Sequence, residues 1–483
     1  MISKRFLLSR RMARTVLAGA SLSLLSACMV GPDFQKPVPL GSLHYDRQAE
    51  QQLATGQNAD APRIRLAQGI EGDWWSTLQS AKLDQVMRKA IDGNLDLTAA
   101  DATIAQANEA VAAARGTLRP QVDFGASGGR QGAGGSASNI YSVGPSVSFD
   151  FDIFGGKKRA VEERGALADL QRHRYDAAYL TLTGDVASQA LRLASARAQI
   201  DAVETLLEQD RRTLALVQTG HRFGSATQVD VALAQTQLAQ DQTLLPPLAQ
   251  QRDVARHALS VLASKGPADW MPPDFGMADF ALPSTLPVSL PSEVAHDRPD
   301  ILAAEAQLHA ASAAIGVATA DLYPRLQLSA SLATAGPGIG TLWSIAGGLA
   351  APIFHGGTLK ANQRGSVDGY KASLADYRQT VVRSLGQVAD VLQAINHDAE
   401  EYAAQERALA AADASLKLNQ AGYRAGEIDV LKVLDAQRAY QRALLGQIQA
   451  RTAQYLDAVQ LSVALGGNAS GAFARRTTAN ETR

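Results

Sequence analysis

From Gly156 to Thr219, and again from Gly357 to Ala421, the chain runs without a proline. At 1.5 Å per residue, a helix over about 64 residues is a rod of roughly 95 Å. An ordinary helix has about 11–12 residues. A rod of that length persists only where neighbours bury its alanine and leucine stripes from end to end. Two such stretches in one chain of 483 residues leave little room for a compact enzyme core, and aromatic content is only 5%.

The two rods belong to a repeat. Arg119-Pro120-Gln121-Val122 is answered by Tyr323-Pro324-Arg325-Leu326, and Asp152-Ile153-Phe154-Gly155-Gly156 by Pro352-Ile353-Phe354-His355-Gly356-Gly357. Arg222-Phe223-Gly224 matches Arg424-Ala425-Gly426, Ala234-Gln235 matches Ala436-Gln437, and Leu259-Ser260-Val261 matches Leu461-Ser462-Val463, all three at an offset of 202 residues. Five matches in one order imply an internal duplication. Each half predicts a helix (Leu95 to Leu118; Pro299 to Leu322), two strands, a long helix, a turn at Gly224 or Gly426, and a returning helix (Thr227 to Leu262; Ile428 to Leu465). Pro246-Pro247 predicts a kink in the first return helix, where the second has Ile448-Gln449. The expected organisation is therefore a leader over 1–27, an irregular segment over 28–80, a first repeat over 81–265, a Pro-rich connector over 266–291, a second repeat over 292–467 and a tail over 468–483.

The strands alternate. Val147-Ser148-Phe149-Asp150-Phe151-Asp152-Ile153 places apolar residues on one face and Asp150 and Asp152 on the other, and Leu326 to Leu332 repeats the pattern. The Gly- and Ser-rich stretches from Gly128 to Ser138 and from Gly336 to Gly340 read as hairpin loops. A soluble sandwich needs a second layer for the apolar face, and no further strands are available. In a membrane that face meets lipid and the polar face lines water. Four strands cannot close a barrel, because the smallest such barrels take about eight. Open edges in lipid leave backbone groups unsatisfied. Several chains must pool their strands, and three give the smallest closed barrel with a usable lumen.

The N-terminus reads as an export signal. Lys4, Arg5, Arg10, Arg11 and Arg14 precede an apolar run, Val16 to Leu25, too short to span a bilayer. It ends in Leu25-Ser26-Ala27-Cys28, the pattern of a bacterial lipoprotein signal. Cys28 is the only cysteine, which excludes an intrachain disulfide and a Cys-based zinc cluster. Its expected role is lipidation, which anchors without spanning. Met29 rather than an aspartate follows it, so the inner-membrane retention signal is absent. No later stretch offers about 18 consecutive apolar residues, so no transmembrane helix is expected. A formal net charge of −1 gives no support to nucleic-acid binding. No nucleophile–base pair or metal constellation suggests an enzyme, and no cofactor is expected beyond the covalent lipid.

Several segments resemble the TolC-like outer membrane efflux family, in its lipoprotein, NodT-type branch: Cys28-Met29-Val30-Gly31-Pro32-Asp33-Phe34-Gln35-Lys36-Pro37, Asp73-Trp74-Trp75, Arg298-Pro299-Asp300-Ile301, Tyr423-Arg424-Ala425-Gly426 and Val433-Leu434-Asp435-Ala436-Gln437. The resemblance covers essentially the whole mature chain. It implies an α+β membrane protein: a homotrimer with a 12-stranded transmembrane β-barrel, four strands per chain, continuous with a long α-helical periplasmic barrel. It implies a passive exit duct for drugs or other small molecules in a tripartite pump, in the outer membrane of a Gram-negative bacterium. Its partners would be copies of itself, a periplasmic adaptor, an inner-membrane RND-type pump and outer-membrane lipid.

The same resemblance puts a channel gate at the periplasmic helix tips. Asp435 matches an acidic residue that forms a ring of three, and Leu431, one turn away, would form an apolar ring. Such rings attract cations and block by dewetting. Asp435 could instead pair with Lys432 on an ordinary surface, and Lys432 stands where some relatives carry a second acid. Asp230 and Tyr423 match residues that tie neighbouring hairpins together when the channel is closed. A duct for type I protein secretion would share this fold; a periplasmic adaptor lipoprotein would carry one hairpin flanked by compact β-domains.

Overall fold

The computed structural model describes residues 29–38, 44–55, 61–67, 73–133, 136–336, 340–467, 469 and 471–473. The leader over 1–27 and Cys28 lie outside the described residues, as does most of the tail. In chain order the elements are α1 (Arg47–Thr55), β1 (Arg63–Leu66), α2 (Ala81–Gly93), α3 (Leu95–Gly116), β2 (Gln121–Ala133), β3 (Ser136–Phe151) and α4 (Gly156–Arg222). There follow α5 (Gln228–Gln242), α6 (Leu245–Leu262), β4 (Thr285–Val288), α7 (Pro291–Asp297), α8 (Pro299–Ala320), β5 (Arg325–Gly336), β6 (Gly340–Ala350), α9 (Thr358–Ala425) and α10 (Val430–Ala464). The chain divides into two compact units, one built from 1–38, 102–172 and 303–379, the other from 39–101, 173–302 and 380–483.

The first unit contains an antiparallel sheet in the order β2-β3-β5-β6. Its register keeps like with like: Val122 faces Val147, Phe149 faces Leu328, Leu326 faces Leu349 and Leu332 faces Trp343. The alternating set pairs Asp123 with Ser146, Asp150 with Gln327, and Ser331 with Ser344, whose hydroxyls are 2.9 Å apart. One face is thus mainly apolar and the other mainly small and polar, with Ile140 and Leu342 the large apolar residues on the latter, and Trp343, Ile345 and Leu349 stand at 69–74% exposure. Within the chain β2 and β6 are edges that pair on one side only.

Two expectations change here. Gly128 and Gly129 lie within β2, not in a loop, opposite Tyr141 and Ile140. The ladder with β3 runs unbroken through both glycines, and this long-range pairing outweighs their weak strand propensity. Asp152 is not on the polar face, because β3 stops at Phe151. Its carboxylate accepts from the backbone N–H of Lys157 (3.0 Å) and Lys158 (2.9 Å), two of the free donors at the start of α4.

The same unit fastens residues 29–38. Val30 N–H donates to the Phe154 carbonyl at 3.0 Å, and Lys36 pairs with Glu305 at 2.8 Å. Phe34 stacks on His309 with ring centroids 4.4 Å apart. Gly31 has φ +91°, and a Cβ there would lie 2.5 Å from the Gly316 Cα, so the two backbones touch only because both residues are glycine. Arg159, 1% exposed, closes the strap: it donates to Asp33 (2.6 Å), Glu162 (2.7 Å) and the carbonyls of Val30 and Gly31 (3.3 and 3.4 Å).

In the second unit the alanine-rich helices pack closely, with Ala187, Ala190, Leu191 and Ala194 of α4 fully buried. The stretches over 28–80 and 266–291, expected to be irregular, supply structure: α1 lies in the first, and β1 pairs in parallel with β4, Ile64 opposite Leu286. This pair joins a core of Leu53, Val288, Val294, Leu392 and Leu461, and Tyr45 Oη donates to the Ser289 carbonyl at 2.8 Å. Trp74 is buried, its Nε1 donating to Thr183 Oγ1 at 3.3 Å. Arg298 forks onto both oxygens of Asp300 (3.0 and 2.8 Å) and donates to the Ala464 carbonyl at the end of α10 (2.6 Å). At Pro246-Pro247 the first return helix breaks into α5 and α6, with proline in the first turn of α6, where no N–H is needed; α10 runs unbroken.

α8 departs from the expectation that no helix would suit a bilayer: by length and composition it is apolar enough to cross one. Much of that apolarity is the alanine of a packing helix, and its polar side chains are engaged, Glu305 by Lys36 and His309 by Glu162 at 2.9 Å.

Candidate functional site

Both long helices end in the same device. Gly224 and Gly426 adopt φ +80° and +75°, the conformation that glycine reaches without steric cost. After α4, Ser225 N–H donates to the Gly220 carbonyl and Gly224 N–H to that of His221; after α9, Glu427 and Gly426 do the same to Gly422 and Tyr423. This double bond pattern satisfies the last helical carbonyls and reverses the chain. Each returning helix is then capped. Thr227 Oγ1 accepts from Asp230 N–H at 3.2 Å while the Asp230 carboxylate accepts from Thr227 N–H at 2.7 Å. Asp429 accepts from Lys432 N–H at 3.2 Å.

The two turns share one small core in the second unit. Val217, Val231, Ala234, Val430 and Leu434 are buried together, with Tyr423 and Leu214 packed against them. The opposite side of α10 is open: Leu431 is 44% exposed, and the side chain of Asp435 is 61% exposed. Leu431 and Asp435 thus share an exposed stripe one helical turn apart, while Val433, Leu434, Ala436 and Gln437 face inward. Asp435 pairs not with Lys432 but with Arg438, Nη1 to Oδ1 at 3.0 Å.

Arg438 continues inward. Its Nε donates to Gln237 Oε1 at 2.6 Å, Gln237 Nε2 donates to Asp241 Oδ2 at 2.7 Å, and Gln441 Nε2 donates to Asp241 Oδ1 at 2.8 Å. Gln437 reaches Thr213 Oγ1 at 3.1 Å. Nothing in the spacing of these residues singled them out, apart from the i, i+3 placement of Asp435 and Arg438.

Asp230 and Tyr423 come close without bonding to each other among the described residues. The Asp230 carboxylate is occupied by the N–H and Oγ1 of Thr227. Burial, then the nearby Asp230 charge, pushes the Tyr423 phenol above its ordinary range, so it stays protonated as a hydrogen-bond donor. Among the described residues no cluster of three or more His, Cys, Asp or Glu converges to hold a metal ion.

Comparison with known proteins bears on the whole chain. It is 32% identical over 468 residues to the pyoverdine export outer membrane protein OpmQ of Pseudomonas aeruginosa, covering 92% of this chain and 96% of that one. It is 30% identical over 483 residues to the toluene efflux pump outer membrane protein TtgI of Pseudomonas putida, covering 92% and 97%. Among solved structures, the outer-membrane channel OprN superposes with a TM-score of 0.84 at 27% identity, over 91% of this chain and 99% of that one. The model of the outer membrane efflux protein family matches twice, over residues 86–264 and 290–467, one match for each half of the duplication. The chain therefore belongs to the outer membrane efflux protein family: it is the outer-membrane channel component of an efflux pump, a trimeric β-barrel continued by helices into the periplasm.

Proposed function

We propose that three copies of this chain, each anchored by lipid on Cys28, form a passive duct for small molecules that is closed at the hairpin turns by rings of Leu431 and Asp435. The observation that carries the duct is the sheet: one mainly apolar face, one mainly small and polar face, and two unpaired edges that neighbouring copies would complete. The gate rests on the exposed stripe of Leu431 and Asp435 beside the turns, and the nearness of Asp230 to Tyr423 belongs to the same closed state. Opening would release Asp230 from Thr227 or Tyr423 from the shared core. A periplasmic adaptor and an inner-membrane RND-type pump supply energy and selection. Small molecules fit better than proteins as cargo, because the relatives are named for pyoverdine, toluene and cations.

Substituting Cys28→Ser tests the anchor. Radiolabelled palmitate should enter the wild type and be absent from the variant, while both remain in the outer-membrane fraction, because the barrel spans and the lipid only tethers. An unlabelled wild type, or a variant found wholly in the soluble periplasm, contradicts the proposal.

A further inference from the structure

We propose that Asp210 and Asp241 form a one-proton latch across the two legs of the first hairpin, released in alkaline surroundings and wired to Asp435 through Gln237 and Arg438. Asp210 lies on α4 and Asp241 in the last turn of α5, at nearly equal distances along the chain from Gly224, so they meet where the two legs pack side by side. Both are almost fully buried, at 4% and 6% exposure, and their carboxyl groups lie within hydrogen-bonding reach of each other. Two carboxylates are acceptors only, so this contact requires a proton on one of them.

The surroundings supply no substitute for that proton. Both oxygens of Asp241 accept from neutral amides, those of Gln237 and Gln441. Asp210 Oδ2 is buried with no donor from any other described residue. The nearest cation on α10, Arg438, reaches only Gln237 and is paired with Asp435; on α4 itself, Arg211 and Arg212 pair outward with Glu208. Burial, then the bond to Asp241 and its charge, pushes the Asp210 carboxyl up to about 7. Because the folded value is the raised one, the stabilisation is complete in acid and is lost as pH rises through about 7. Above that, two carboxylates repel across the seam.

The second hairpin carries a related pair farther from its turn. Asp398 on α9, half-buried, and Asp457 on α10, buried, face each other nearly equidistant from Gly426; Asp457 Oδ2 has no donor from another described residue, and burial pushes that carboxyl up to about 8. The duplication does not explain the coincidence. At the offset of 202 residues, the counterparts of Asp210, Asp241, Asp398 and Asp457 are Ala412, Ala443, Ala196 and Ala255. Each hairpin seam thus carries its acid pair at positions where the other half has alanine.

The link to Asp435 rests on the gate reading; the latch does not. Hydrogen exchange of the full trimer in detergent, corrected for intrinsic rates, reads the latch over residues 228–245 between about pH 4 and about pH 9. In the wild type, protection should fall by up to about tenfold per pH unit as pH rises from the ordinary carboxylate range to about 7, and level off above it, for a single-proton linkage. In Asp210→Asn the amide donates to the Asp241 carboxylate at every pH, so the profile should be flat, and Asp241→Asn should behave alike. Single-channel conductance of the same proteins reads the wiring: the wild type should conduct more above pH 7, and Asp210→Asn should not. A pH-independent wild type, or Asn variants that retain its pH dependence, overturns the latch. Exchange that behaves as stated with conductance unmoved supports the latch and overturns its link to Asp435.

Discussion

Replacing Asp435 and Asp230 together with alanine is expected to raise single-channel conductance in planar bilayers severalfold. The two changes act on different restraints. On the proposed gate, Asp435→Ala removes a ring of three carboxylates that would hold cations against the flow, and it frees Arg438 from its 3.0 Å partner. Asp230→Ala breaks the reciprocal cap at the start of α5, leaving Thr227 N–H without its 2.7 Å acceptor, at a cost of about 1 kcal/mol. It also removes the charge beside Tyr423. The turn at Gly224 then opens more readily, and the lumen that it exposes is less cation-selective. Asp435→Ala alone should lower cation selectivity with a smaller gain in conductance. If the double variant conducts like the wild type at all voltages, the constriction lies elsewhere.

Arg159→Ala should destabilise the first unit by about 3 kcal/mol, the range seen when one partner leaves a buried charge network. The pair with Asp33 contributes little, because that carboxylate is mostly in water. The loss comes from Glu162 and from the carbonyls of Val30 and Gly31, which have no room to recruit solvent where Gly31 and Gly316 meet. Lysine should recover only part of the loss, since it cannot reproduce the guanidinium fork. Limited proteolysis followed by mass spectrometry should show cleavage within residues 29–38 in the variant and protection in the wild type. Burial opposes the charge of Glu162, yet its bonds to His309 and Arg159 hold the carboxyl below its ordinary range. Its contribution is therefore present at neutral pH and lost as pH falls through that lowered value, so acid should loosen the same segment in the wild type. Equal cleavage in both proteins would show that the strap has no role in holding the N-terminal segment.

Much of the architecture was legible because it follows from period and punctuation. Freedom from proline marked α4 and α9, Gly224 and Gly426 marked the turns, and alternation from Val147 marked a two-faced strand. The β1–β4 pair was not legible: four-residue strands far apart in the chain show too little alternation to register, and their pairing depends on the core around Leu53 and Leu392. The glycines of β2 read as a loop because propensity is local, whereas the pairing that holds them in a strand comes from β3. Asp152 fitted the alternation by position but was claimed by the free amides of α4. The candidate gate residues came from likeness to a family, and their partners are seen only once helices are placed side by side. Arg438, Gln237, Asp210 and Asp241 lie on three different helices, and no spacing along one of them reveals a bond to another.

The claim on which the rest depends is that separate chains pool their strands into one barrel. Native mass spectrometry of the detergent-solubilised protein, paired with planar-bilayer recording of the same preparation, tests it directly. The expected result is a single species of three chains that dissociates on heating and conducts ions in discrete steps. A monodisperse monomer that inserts without conducting would contradict it.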